Sequence, residues 1–126
     1  MEKKYTVLLC EDEEFVARSY IRKLEFEGYT VIHAKNGQEA ITHILNDAPD
    51  LVLLDLMMPI KSGFEVLTEV QKSENMEVKE IPIIVASNLG QQSDIDEATN
   101  LGAVDFLIKS NISLKELVEK VQKHLP

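Results

Sequence analysis

A single cysteine, Cys10, among 126 residues leaves no partner for an intramolecular disulfide and excludes a cysteine-rich zinc site. Positive charge is also scarce, with 13 Lys+Arg against 22 Asp+Glu and a formal net charge of −9. A chain that negative is repelled by nucleic-acid phosphates and anionic membranes, so any effect on DNA has to run through another protein. Long apolar runs are missing too. Residues 1–6 lack the hydrophobic stretch of a signal peptide, and no later run approaches the ~20 residues of a membrane span. What remains is ordinary globular composition, 44% hydrophobic and 28% charged, in a length typical of one domain. A chain of this size buries roughly two-thirds of its unfolded surface and needs no disulfide or metal to hold it. The expectation is one soluble, cytoplasmic domain over residues 1–126.

Two kinds of segment alternate along it. Short runs rich in Val, Ile and Leu lie at 5–10, 30–34, 51–54, 83–86 and 104–108, too short for helices and suited to strands. Between them the spacing is helical. Asn36, Ser93 and Ser113 each stand three residues before an acid (Glu39, Asp96, Glu116), the pattern of an N-cap with its N3 partner. Gly28 and Gly102 follow helical stretches where a positive φ is needed, and Pro82 opens a strand where its missing N–H costs little. Strand and helix alternating five times predict an α/β domain, a parallel sheet with helices on both faces. The run 51–54 is apolar at every position, as in a strand covered on both sides, whereas 30–34 includes His33 and reads as an edge. The polar stretch 73–80 reads as a connection too short for a domain linker.

The chemistry lies where the strands end. The first run ends in Glu11-Asp12, the third in Asp55, the fourth in Ser87 and the fifth in Lys109. In an open parallel sheet all these ends share one edge, where ligands bind. Three carboxylates, a hydroxyl and an ammonium are therefore expected in one pocket. Two carboxylates ~4 Å apart repel by roughly 4 kcal/mol at an effective dielectric near 20. One lysine cannot offset three, so the pocket either recruits a cation or protonates a carboxyl. Oxygen ligands in small number suit Mg²⁺, particularly when shared with phosphate. His33, His43 and His124 sit at no metal-like spacing and read as ordinary histidines; Cys10 reads as a buried strand residue.

The runs VLLCEDEE, DLVLLDLMMP with GFE, IPIIVAS and GAVDFLIKS occur in order. Together they resemble the receiver domain of two-component response regulators, over essentially the whole chain. The resemblance implies a flavodoxin-like, doubly wound five-stranded sheet of order 2-1-3-4-5 with five helices. It implies a signalling switch rather than an enzyme. Asp55 corresponds to the aspartate that accepts a phosphoryl group from a phosphohistidine of a sensor histidine kinase or phosphotransfer protein. Asp12, Asp55 and the backbone carbonyl of Met57 correspond to Mg²⁺ ligands, with Glu11 reaching the metal through water. Ser87 and Lys109 correspond to the groups that hold the phosphoryl oxygens, and Ser87 and Phe106 to the pair that moves on switching. A downstream protein is expected on the face made by the helix near Ser93, the last strand and the final helix.

Three positions depart from the family pattern. Glu11 is one methylene longer than the commonest acid there. Ser87 replaces a threonine and loses a methyl that helps fix the rotamer. Lys109-Ser110 stands where the family usually has Lys-Pro with a cis bond. Before serine a cis bond costs about 3–4 kcal/mol, so a trans bond and an altered approach to the last helix are expected. Other classes fit less well. A haloacid-dehalogenase-type phosphatase needs a second Asp where Met57 stands, and an FMN module would meet repulsion from Glu11 to Glu14. A degenerate receiver acting as a phosphorylation-independent binding module is the alternative. A chain that starts at Met1 and ends at Pro126 is expected to be a stand-alone receiver rather than a fragment.

Overall fold

The computed structural model describes residues 4–126, so positions 1–3 of the expected domain lie outside the described residues. The strands are β1 (Thr6–Cys10), β2 (Thr30–Ala34), β3 (Leu51–Leu54), β4 (Ile83–Ser87) and β5 (Asp105–Ile108). They form one parallel sheet in the order β2-β1-β3-β4-β5, with β2 at an edge as expected. The helices are α1 (Glu14–Phe26), α2 (Gly37–Asp47), α3 (Gly63–Gln71), α4 (Met76–Lys79), α5 (Gln92–Asn100) and α6 (Leu114–Lys123).

Alternation along the strands builds two cores. Val52 and Leu54 of β3 face one way, with Ile41 and Ile44 of α2 and Val66, Leu67 and Val70 of α3. Leu51 and Leu53 face the other way, with Tyr20 and Leu24 of α1 and Leu117 and Val121 of α6. All four β3 side chains are fully buried. At about 1.5–3 kcal/mol each, they anchor the strand that must end in a charged residue.

The helix ends follow from sequence where a cap is present. Asn36 accepts from the Glu39 amide (2.8 Å), and Ser113 forms a reciprocal capping box with Glu116. Gly28 and Gly102 take φ of 97° and 106°. Two expectations need correction. The helices number six among the described residues, not five, because the polar stretch 73–80 contains α4. There the Asn75 side chain caps the Glu77 amide, and Val78 is buried against the core. Ser93 is not an N-cap. The Gln91 carbonyl already accepts from Asp94 (3.0 Å) and Ile95 (3.2 Å), so α5 starts before Ser93. The last strand begins at Asp105 rather than at residue 104.

Candidate functional site

Only three polar or charged residues are buried among those described: Glu11 (2% exposed), Asp55 (5%) and Ser87 (1%). All three lie at the C-terminal ends of strands. Burying such groups is costly unless each is hydrogen-bonded, and each is. The Lys109 ammonium, coming off the end of β5, donates to Glu11 Oε1 at 2.6 Å and to Asp55 Oδ2 at 3.0 Å. The amide of Glu13 donates to Glu11 Oε2, and that of Met57 to Asp55 Oδ1, both at 3.1 Å. Ser87 Oγ accepts from the Leu89 amide at 3.2 Å. Asp12 is exposed, yet one oxygen from each of Glu11, Asp12 and Asp55 lies within 4.8 Å of the others.

Electrostatics here are unbalanced. Burial pushes the Glu11 carboxyl above the usual carboxylate range, although Lys109 and the Glu13 amide pull it down. Burial acts to lower the Lys109 pKa, but the hydrogen bonds it donates to its two carboxylate partners outweigh it, and the ammonium is held. Two carboxylates then share one ammonium, with the third, Asp12, close beside them. Compact, oxygen-only and short of positive charge, the cluster suits a hard divalent cation, and these donors fit Mg²⁺ by type.

The loop after β3 fixes Asp55 from behind. Gly63 donates to the Leu56 carbonyl at 3.0 Å, and a Cβ on it would sit 2.4 Å from the Asp55 carbonyl oxygen. Only glycine permits that approach of α3 to the strand end. In the same loop Ile60 has φ of 72°, and the Lys61 amide donates to the Pro59 carbonyl at 2.8 Å, a tight three-residue turn. A β-branched residue in that conformation is strained.

Other sequence-selected residues lie around the cluster or outside it. The Met57 side chain is exposed, so its part here is its amide. Phe106 is partly buried and packs on the core beyond the acidic group, with Val85 as its strand neighbour. Leu89 also packs on that core. Cys10 is buried, and burial pushes its thiol pKa up, away from reactivity. The Lys109–Ser110 bond is trans, followed by a 3₁₀ turn over Lys109–Asn111. Ser110 uses the amide hydrogen that proline would lack to donate to Asn88 Oδ1 at 3.1 Å, linking the loops after β4 and β5. Sequence reasoning missed Asn88 and also His33, whose Nε2 donates to the Glu11 carbonyl at 2.8 Å. The available signal for His33 was its place one residue before the end of the strand beside β1.

The family model of the response regulator receiver domain matches residues 7–122. The chain belongs to that family. The resemblance read from the sequence and the sheet order it implied are both borne out. The receiver is 39% identical over 116 residues to "Response regulator RR06" of Streptococcus pneumoniae, covering 92% of this chain and 51% of that protein. It is 34% identical over 122 residues to "Probable transcriptional regulator ycf27" of Guillardia theta, covering 97% and 46%. It thus spans about half the length of the curated relatives it matches. A solved receiver domain of a sensor histidine kinase from Pseudomonas aeruginosa PAO1, with a magnesium ion coordinated in its active site cleft, is similar with a TM-score of 0.86. Identity there is 25%, over 96% of this chain and 97% of that one. Receiver domains are switches in phosphorylation-dependent two-component signalling and work with histidine kinases and downstream effectors. Among the described residues no helix is long and apolar enough to cross a membrane.

Proposed function

We propose that the chain is a single receiver domain over residues 1–126, which accepts a phosphoryl group on Asp55 from a histidine kinase or phosphotransfer protein. One observation carries this reading: three carboxylates around one buried ammonium at the end of the central strand. An Asp55 carboxylate oxygen attacks the phosphorus of a phosphohistidine. The new P–O bond forms as the P–N bond breaks, and the imidazole leaves and takes up a proton. Lys109 and Ser87 hold the phosphoryl oxygens, with Lys109 stabilising developing charge rather than moving a proton. Asp12, Asp55 and the Met57 carbonyl would hold Mg²⁺, with Glu11 behind a water. When bound, Mg²⁺ neutralises the carboxylates and the incoming phosphoryl charge.

Signalling follows from the loops. Ser87, Asn88 and Leu89 share one segment, and Asn88 ties it to Ser110. A shift of Ser87 toward the phosphoryl group pulls on that segment and frees space into which Phe106 turns. Moving a population from 1:99 to 99:1 takes about 5.5 kcal/mol, within reach of several charge-assisted hydrogen bonds. The altered surface is that of α5, β5 and α6, where a downstream protein docks. The chain acts in the cytoplasm, promotes only its own phosphorylation and dephosphorylation, and contacts neither nucleic acid nor membrane, in keeping with its charge of −9.

Incubation with labelled acetyl phosphate and Mg²⁺ tests the reading. The wild-type chain takes up label and Asp55→Asn does not. Undiminished labelling of Asp55→Asn would reject the assignment, and no labelling of either would leave the phosphorylation-independent binding module.

A further inference from the structure

Both backbone polar groups of Glu11 are held by the end of β2. Its amide donates to the Ala34 carbonyl at 3.0 Å, and its carbonyl accepts from His33 Nε2 at 2.8 Å. A carbonyl can only accept, so Nε2 carries the hydrogen. The side chain is held as well, by Lys109 on one oxygen and the Glu13 amide on the other. The oxygen that His33 grips belongs to the peptide joining Glu11 to Asp12. Rotation of that peptide swings the Asp12 carboxylate, the exposed member of the three, relative to Asp55. The Ala34 bond fixes the chain on the near side of Glu11, and the His33 bond fixes it on the far side.

We infer that His33 is a positioning residue for the divalent-cation site. By holding the Glu11–Asp12 peptide it keeps the Asp12 carboxylate within ligand distance of Glu11 and Asp55 before the cation arrives. The inference rests on the cation-binding reading above. Three like charges gathered on their own tend to spread apart, and a main-chain restraint that lies outside their repulsion opposes this without adding charge. Partners that touch a metal ligand directly change affinity by about 10–100-fold when removed. His33 acts through the main chain, so the low end of that range, about tenfold, is expected.

Isothermal titration of the full chain with MgCl₂ at fixed pH tests this on the wild type, His33→Phe, His33→Val and His33→Gln. Phenylalanine keeps a ring without the donor, valine is a good strand residue without it, and glutamine restores an N–H at similar reach. Urea unfolding without Mg²⁺ runs alongside as the control for a merely structural role. The expected result is about tenfold weaker Mg²⁺ binding in the Phe and Val variants, recovered in large part by Gln, with any change in unfolding midpoint not tracking affinity. Wild-type affinity in whichever donor-free variant folds would overturn the role of His33 while leaving the cation site standing. No Mg²⁺ binding by the wild type would overturn both.

Discussion

At the start of β5, Asp105 meets Lys120 at 2.9 Å and His124 at 3.0 Å; at the far end, Lys109 meets Glu11 at 2.6 Å and Asp55 at 3.0 Å, with Asp12 alongside. The first cluster gives one carboxylate two nitrogen partners and the Phe106 amide besides. Burial works against that carboxylate, but bonds from His124, Lys120 and Phe106 prevail and hold its pKa down at about 2. The second sets three carboxylates against one ammonium, with Lys109, Glu11 and Asp55 more deeply buried than the first cluster and Asp12 exposed. Where donors match acceptors, the cluster ties the end of α6 to the sheet. Where negative charge exceeds positive at the C-terminal ends of the strands, the oxygen donors suit a divalent cation. Stoichiometry of charge, more than the presence of ion pairs, separates the structural cluster from the functional one.

Lys109→Met should destabilise the chain most. It removes the ammonium that pairs with the buried Glu11 and Asp55 carboxylates, and losing one partner of a buried pair is expected to cost about 3 kcal/mol of stability. Urea unfolding at low salt and neutral pH measures it. Protonation of Glu11, whose pKa burial already raises, relieves the repulsion, so the loss should shrink as pH falls. Next comes Asp105→Asn. The folded pKa of about 2 lies below the ordinary 3.8, so the stabilisation is fully present above about pH 4 and disappears as pH falls toward 2. A shift of that size is on the order of 2 kcal/mol. The wild type should therefore lose stability across that acid window by that much more than Asp105→Asn, which should already be weaker at pH 7. The smallest effect has the opposite sign. Asp12→Asn removes an exposed negative charge beside two others, worth about 1 kcal/mol near water's dielectric. The variant should be slightly more stable than wild type without Mg²⁺ and should lose the stabilisation that Mg²⁺ confers. An acid whose removal stabilises the free chain belongs to a site, and one whose removal destabilises it belongs to a clamp.

Much of this was legible in the sequence. The all-apolar run LVLL reads as a strand covered on both faces, and the polar residues closing four strands mark the ligand edge. Asn36 and Ser113 gave away their helices because a side chain spells out the cap. What escaped had no such lettering. The Gln91 start of α5 uses backbone bonds alone, and α4 hangs on one buried side chain, Val78, in a polar stretch. His33 and Asn88 act through main-chain partners brought close only by strand order and loop path. The clamp at Asp105 needed the approach of α6, which no local pattern encodes.

On the reading proposed above, the unbalanced carboxylate cluster receives its phosphoryl group at Asp55. Peptide mapping by mass spectrometry after incubation with acetyl phosphate and Mg²⁺ tests it most directly. The expected result is the added mass of one phosphoryl group on the peptide containing Asp55, absent in Asp55→Asn. A phosphoryl group found on another residue, with Asp55 unmodified, would contradict it.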